Sequence, residues 1–218
     1  MTVQHHAICL HGLAKKSSQM SSMQHFMEDK NICVHNLSYP STQQDLSGLA
    51  AQLISAIKEC VPHNAPTHFI GFSLGGLLLR LILTHYRPPQ MGRVVQIAPP
   101  NQGSDLVDHI KHWRIFRAFF GPAGQALDTQ FERIAHLFGP IDYELGVIAA
   151  TQRYDWSVCW AFDSPHDGRV SVARTKVQGM QDHIVLSGHH SRLMRLPIVH
   201  QQTWHFLQTG HFDHDRSA

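Results

Sequence analysis

Residues 66–83 combine a short apolar strand, a tight turn and an amphipathic helix. The turn at 71–76 reads GFSLGG and contains the pattern G-x-S-x-G. Glycines on both sides of Ser73 let a strand and a helix approach closely, while the serine backbone takes a strained conformation. Such a turn would hold the Ser73 hydroxyl over the amino end of a helix, where free backbone N–H groups stabilise developing negative charge. The stretch therefore predicts a position for a nucleophile.

Strand-like and helix-like segments alternate along the rest of the chain. The predicted strands are 6–10, 32–36, 69–70, 94–98, 157–162 and 182–187, and the predicted helices are 17–30, 46–60, a run from residue 74, 143–150 and 198–207. This alternation predicts one α/β domain, residues 1–218, with a mostly parallel sheet and helices on both faces. Ligands bind such sheets at the carboxyl ends of the strands, where 11–13, Ser73 and 99–104 are expected to converge.

Composition excludes several classes of protein. The formal net charge of +2 is too small to indicate nucleic acid as a partner. The four cysteines are widely spaced and lack a C-x-x-C or Cys/His ligand pattern, so they predict neither a zinc site nor a disulfide framework. The amino terminus lacks the features of a signal peptide, and the apolar runs are shorter than a membrane span. These features predict a cytoplasmic protein.

The segment 105–142 interrupts the alternation and has two interpretations. It carries apolar and aromatic residues at helical spacing, interleaved with basic ones: Ile110, Trp113, Phe116 and Phe120 with Lys111, Arg114 and Arg117. As a small helical cap, it would present an apolar wall to an acyl group and make transient contact with a lipid surface. The alternative is a helix that packs its aromatic side on the core.

A serine hydroxyl needs a histidine to accept its proton and a carboxylate to hold that histidine. In this kind of fold the three residues follow the chain order Ser, Asp or Glu, His. Asp167 is the predicted acid, because it lies in a loop after the strand predicted at 157–162, and Asp163 is the alternative. His190 is the predicted base, because it follows the last predicted strand; position alone leaves its neighbour His189 open.

Two backbone N–H groups are candidates for an oxyanion hole, the site that stabilises the negative oxygen of a tetrahedral intermediate. One belongs to Leu74, the residue after the nucleophile, and the other to Leu13, in the loop after the first strand. His11 has two interpretations at this point. Its ring either orients this loop or is a hydrogen-bonded histidine of the core.

Three motifs together resemble the α/β-hydrolase superfamily, specifically its compact bacterial triacylglycerol-lipase-like branch, related to GPI-inositol-deacylase-like proteins. They are LHGL at 10–13, GFSLGG at 71–76 and IAPPNQGSDLVD at 97–108. The resemblance implies an α/β-hydrolase fold in which Leu13 supplies an oxyanion donor and Ser73 is the nucleophile. Asn101 departs from the pattern, since histidine is common at that position.

The later part of the chain extends the resemblance. DGRV at 167–170 is similar to the acid loop of that family, and DHIVLSGHHSRLM resembles its histidine loop, in which the base precedes a small hydroxyl residue. The resemblance thus favours His190 over His189 as the base. It implies a serine hydrolase that cleaves a small or lipid-like carboxylic ester through an acyl-enzyme, with no metal or organic cofactor. A thioesterase, an acyltransferase and a non-catalytic binding protein are the alternatives.

Overall fold

The structure, a computed structural model, describes residues 4–110, 114–152 and 159–216, without the side chains of 114–119 and 159. In this part of the chain, six parallel strands form one sheet in the order β2-β1-β3-β4-β5-β6. The strands are β1 (His6–Leu10), β2 (Cys33–Leu37), β3 (Thr67–Phe72), β4 (Met91–Ile97), β5 (Leu145–Thr151) and β6 (Asp182–Ser187). The predicted parallel α/β sheet is confirmed.

Helices cover both faces of the sheet. They are α1 (Ser21–Glu28), α2 (Leu46–Cys60), α3 (Leu74–His85), α4 (Asp105–Ile110), α5 (Arg114–Gln125), α6 (Glu132–Ala135), α7 (Val172–Thr175) and α8 (Pro197–Thr209). Short 3-10 turns occur at Ser17–Met20, Cys159–Ala161, Leu193–Arg195 and His214–Arg216. Within the described ranges, no helix is long and apolar enough to cross a membrane.

Alternation along β1 divides the core into two layers. Ile8 points to the face on which α2 and α3 pack, and it shares a cluster with Leu53 and Leu78. Ala7 points to the other face, where Met23 of α1 and Phe206 of α8 close the second cluster. Because both faces are covered, the inner strand β5 is buried along nearly its whole length and reads as a continuous apolar run, as is typical of parallel sheets.

Two sequence-based predictions for the second half of the chain are wrong. The helix predicted at 143–150 is the buried strand β5. Its short run of apolar residues carries no clear period, and a fully buried strand then cannot be distinguished from a helix. Of the strand predicted at 157–162, residues 157–158 lie outside the described part of the chain, and Cys159–Ala161 form a 3-10 turn. Among the described residues, the last strand before the loop that carries Asp167 is β5.

The strand order creates a crevice. The chain runs from β1 outward to β2 and then returns to β3 on the other side of β1. The loops that follow β1 and β3 therefore diverge at the carboxyl edge of the sheet, which is where open α/β sheets bind ligands. Ser73 directly follows β3 and therefore lies at this crevice.

The turn between β3 and α3 requires glycine for close packing. A Cβ atom on Gly75 would lie 2.4 Å from the carbonyl oxygen of Leu10 at the end of β1. A Cβ atom on Gly71 would lie 2.6 Å from the Cα atom of Gly76. Since both obstacles are backbone atoms, they cannot move aside cheaply, and the two glycines set the distance between α3 and the sheet.

We expect Gly75→Ala to lower the free energy of unfolding by about 2–4 kcal/mol, because α3 must separate from β1 to admit the methyl group. Urea unfolding measures this change. Gly48→Ala is the matched control: a Cβ atom there meets only the side chains of Gln44 and Asp45. Because alanine favours helix, the control should keep or gain stability, by up to about 1 kcal/mol. Equal effects at the two sites would contradict this account of the turn.

Candidate active site

Ser73 lies on the strained turn that its flanking glycines predict. Its backbone has φ 54° and ψ −121°, in a region that costs a non-glycine residue about 1–3 kcal/mol. The N–H of Ser73 donates to the carbonyl of Ile97 in β4 at 2.8 Å, and its carbonyl accepts from the N–H of Gly76 at 2.9 Å. These bonds hold the turn between the sheet and α3, with the side chain at the crevice.

The structure brings Ser73, His190 and Asp167 into one hydrogen-bonded series. The Oγ atom of Ser73 lies 3.1 Å from Nε2 of His190, and Nδ1 of His190 lies 2.6 Å from Oδ2 of Asp167. Because a carboxylate only accepts hydrogen bonds, Nδ1 carries the imidazole proton in this arrangement. Nε2 is then free to accept the hydroxyl proton of Ser73.

Backbone groups fix the Asp167 side chain in place. Asp167 is 1% exposed, and its Oδ1 atom accepts hydrogen bonds from the N–H groups of Arg169 and Val170, each at 2.9 Å. The N–H of His190 donates to the carbonyl of Asp167 at 2.8 Å, so the loops that carry the two residues are joined directly. The ring of Phe72 packs against the His190 ring, with the two ring centroids 4.8 Å apart, and limits rotation of the imidazole.

The alternative acid and base lie elsewhere. Asp163 is exposed. His189 bonds within its own loop, where its Nδ1 atom lies 2.8 Å from Oγ of Ser191. The geometry thus separates the adjacent histidines, of which His190 is the one in contact with Ser73.

In the loop after β1, the N–H groups on either side of Leu13 are hydrogen-bonded to side chains. The N–H of Gly12 donates to Oε1 of Gln19 at 2.9 Å, and that of Ala14 donates to Oγ of Ser41 at 3.0 Å. Leu13 lies between them, and within the described residues its N–H has no acceptor. The same holds for the N–H of Leu74, at the first position of α3, where helices leave N–H groups free. Both leucine N–H groups are therefore available to a ligand.

His11 is a buried, fully bonded histidine that shapes this loop. Its Nδ1 atom lies 2.8 Å from the carbonyl oxygen of Gly12, and its Nε2 atom accepts from the N–H of Tyr39 at 3.3 Å. The Tyr39 ring stacks on the His11 ring, with the two ring centroids 4.1 Å apart. Burial lowers the pKa of His11, which keeps the ring neutral. Both interpretations from the sequence thus apply, since His11 is a core histidine that also orients the loop.

A cavity of about 260 Å³ opens beside Ser73. Its wall is mainly apolar and comes largely from the loop after β1 and from the segment 105–142: Leu13, Phe72, Leu106, Val107, Ile110, Phe120, Leu127 and Val170. The exposed Lys15 and Arg169 also line it. Of the aromatic residues predicted for a cap, Phe120 lies in the wall, whereas Trp113 and the side chain of Phe116 lie outside the described part of the chain.

Asn101, which stands where the related motif commonly has histidine, has a packing role. Its Nδ2 group donates to Oε1 of Gln96 at 2.8 Å and to the carbonyl of Thr175 at 2.7 Å. Its Oδ1 atom accepts from the buried guanidinium of Arg80 at 3.0 Å. The side chain therefore joins β4, α3 and α7 behind the cavity wall and does not line the cavity.

Solved structures show which known fold the chain adopts. The chain is similar to the mature form of the lipase BlEst2 from Bacillus licheniformis, with TM-score 0.74 and 15% identity over 96% of this chain and 93% of that one. It is also similar to a metagenomic carboxyl esterase, with TM-score 0.72 and 17% identity over 88% of this chain and 66% of that one. The type II thioesterase YbtT of the yersiniabactin pathway matches with TM-score 0.58 and 13% identity over 97% of this chain and 94% of that one. The fold is that of the α/β-hydrolases.

The sequence identifies the family within this class. Residues 7–136 match the profile of the palmitoyl protein thioesterases. This match spans more than half of the chain, so the protein belongs to the palmitoyl protein thioesterase family and is a hydrolase of ester-type bonds. No curated protein matches the sequence at a significant level.

Because the folded chain holds His11 neutral, we expect acid to weaken the fold. The pKa of His11 is lowered from 6.5, so the unfolded chain takes up the proton first. The contribution of His11 to stability is complete above pH 6.5 and decreases as the pH falls below it. Between pH 6.5 and 5.5 the free energy of unfolding should fall in wild type. In His11→Gln that fall should be smaller, by up to about 1 kcal/mol.

Urea unfolding at the two pH values measures this difference. His63→Gln is the control, because that side chain is exposed. It should follow the wild-type pH dependence. A wild-type dependence in His11→Gln as well would show that protonation of His11 does not contribute.

Proposed function

We propose that this protein hydrolyses carboxylic esters with Ser73 as the nucleophile, His190 as the general base and Asp167 as the residue that orients the base. The observation that carries the proposal is the pair of contacts at 3.1 Å and 2.6 Å that joins the three side chains. They come from three distant parts of the sequence and meet beside an apolar cavity. Leu13 also lines this cavity, and the N–H groups of Leu13 and Leu74 have no acceptor among the described residues.

The proposed reaction has two halves. Oγ of Ser73 attacks the acyl carbonyl while Nε2 of His190 takes the hydroxyl proton, and the tetrahedral intermediate places its oxyanion against the N–H groups of Leu13 and Leu74. The C–O bond breaks, and the alcohol leaves with the proton from His190. Water then attacks the acyl-enzyme with its proton passing to His190, and the acid is released as Ser73 recovers its proton. Asp167 stabilises the imidazolium in both halves.

The cavity suits an acyl chain of short to medium length. Apolar side chains from the segment 105–142, among them Leu106, Ile110 and Phe120, form much of its wall. We assign this segment as the cap of the site. Its apolar surface would remove the acyl chain from water, at about 0.8 kcal/mol for each buried methylene group.

A second candidate is the hydrolysis of acyl thioesters by the same residues. The family match favours it, as palmitoyl protein thioesterases give the family its name. The cationic Lys15 and Arg169 at the cavity would favour an anionic substrate such as an acyl-CoA. Assays with p-nitrophenyl esters, acyl-CoA and uncharged acyl-N-acetylcysteamine thioesters of the same chain length will show whether esters or thioesters are the better substrates. Added alcohol acceptors test for acyl transfer.

We expect Ser73→Ala and His190→Ala to reduce kcat for p-nitrophenyl ester hydrolysis by at least about 10⁴-fold, and Asp167→Asn by about 10³- to 10⁴-fold. Each removes part of one reaction path, so a double variant should lose little more than the worst single one. His189→Ala is the matched control, since its side chain bonds to Ser191 and not to Ser73. It should keep wild-type activity.

Three results would contradict this assignment. An active Ser73→Ala variant would show that Ser73 is not the nucleophile. Loss of activity in His189→Ala but not in His190→Ala would show that His189 is the base. Absence of activity in the folded wild type on both esters and thioesters would favour a binding protein on the hydrolase fold.

Gln19→Leu tests the proposed oxyanion loop. The change removes the acceptor of the Gly12 N–H, so the neighbouring Leu13 N–H loses its fixed direction. Since loss of one oxyanion donor costs about 10²- to 10³-fold in rate, a misdirected donor should lower kcat by about 10- to 100-fold and leave KM nearly unchanged. Gln201→Leu, at an exposed position of α8, is the control. An unchanged kcat in Gln19→Leu would separate this loop from catalysis.

A further inference from the structure

A cluster of histidine and cysteine side chains lies at the amino end of the sheet, opposite the edge that carries Ser73. β1 and β2 run parallel, and their register places His6 beside Cys33 and Ile8 beside His35. Alternate residues of a strand point to the same face, so Cys33 and His35 share one face of the sheet with the His6 side chain. The edge strand β2 therefore presents a Cys-x-His pair to a histidine of its neighbour.

The distances suit a single metal ion. Nδ1 of His6 lies 2.8 Å from Nε2 of His35, and Sγ of Cys33 lies 3.9 Å from the same Nε2 atom. All three ligand atoms lie within 4.8 Å of one another. Zn–N bonds of about 2.1 Å and a Zn–S bond of about 2.3 Å place tetrahedral ligand atoms about 3.4–3.6 Å apart. Side-chain shifts of about half an ångström would therefore admit the ion.

The chemistry of the three donors selects the metal. One thiolate with two imidazoles suits zinc, whereas magnesium and calcium prefer oxygen ligands. His6 is buried, and Cys33 and His35 are half-buried, so the site is partly shielded from water. A metal binds the neutral form of each imidazole and the thiolate form of the cysteine, so binding depends on pH.

We propose that His6, Cys33 and His35 form a Zn²⁺ site that joins the edge strand β2 to β1. The fourth position is left for water or for Cys60, whose side chain packs on the same face at the end of α2. An edge strand has a partner on one side only, so a metal bond to its neighbour resists opening of the sheet there. The site lies at the strand end remote from Ser73, and its role is structural.

Metal titration of the untagged, reduced chain tests the proposal. Co²⁺ as a probe should give the near-ultraviolet charge-transfer absorption of a thiolate ligand, with one ion per chain, and Zn²⁺ should displace it. Cys33→Ser should abolish that absorption, and His35→Gln should weaken Zn²⁺ binding at least about tenfold. At a free Zn²⁺ concentration a hundred times the Kd, Tm should rise by about 5–10 °C in wild type and not in Cys33→Ser.

Matched variants separate this site from other histidines. His5 and His68 form a nearby pair with ring nitrogens 3.4 Å apart, so His68→Gln is the control for general histidine binding and should keep the thiolate absorption. Ser73→Ala should bind Zn²⁺ as wild type does, which keeps this test independent of the proposed function. Loss of affinity in Cys60→Ser would add a fourth ligand to the same site. No thiolate absorption in wild type, or equal Zn²⁺ affinity in wild type, Cys33→Ser and His35→Gln, would overturn the proposal.

Discussion

The close approach of α3 to the end of β1 controls the geometry of the whole site. Gly75 lies against the carbonyl groups of Leu10 and His11, with no room for a side chain. This contact fixes two things together: the position of Ser73 at the start of α3, and the position of the loop that carries Leu13. In the proposed mechanism the nucleophile and both oxyanion donors therefore depend on one backbone contact. Their relative positions are set by the fold before any substrate binds, which is the condition for electrostatic stabilisation of a transition state.

The acid loop is held to the proposed cap as well as to the histidine. The hydroxyl of Ser104, just before α4, donates to the carbonyl of Arg169 at 2.6 Å. At the start of α4, the carboxylate of Asp105 accepts from the hydroxyl of Ser171 at 2.9 Å. Residues 169 and 171, in the loop that carries Asp167, are thus bonded to the start of the segment that walls the cavity. In the proposed mechanism, these bonds help to hold Asp167 in place beside His190.

Sequence reasoning reached the parts of the site that are local in the chain. The turn at Ser73 is predictable because a strand and a helix that meet directly at a serine leave no room for side chains beside it. Glycine is therefore required at fixed positions around the serine, and this pattern is visible in the sequence. His190 follows in the same way from its place after a recognisable strand, with the related histidine loop deciding against His189. β5 was missed because a short run of buried apolar residues has the same appearance in a strand and in a helix.

Contacts between distant segments were not predictable. Gln19 and Ser41 accept hydrogen bonds from the N–H groups on either side of Leu13. The sequence carries no signal that shows which backbone group a polar side chain will bond to. The cluster of His6, Cys33 and His35 has the same origin, since it arises from the register between two strands. Its spacing along the chain resembles no metal-binding pattern. Both kinds of contact become visible only when the sheet order is known.

In the proposed mechanism, folding activates the hydroxyl of Ser73. Reaction with a fluorophosphonate probe, followed by peptide mapping, measures this directly, since such probes modify serines whose proton can be removed by a neighbouring base. We expect a single adduct, on Ser73, that forms much more slowly in His190→Ala. An adduct on a different residue, or none on the folded wild-type chain, would contradict this mechanism.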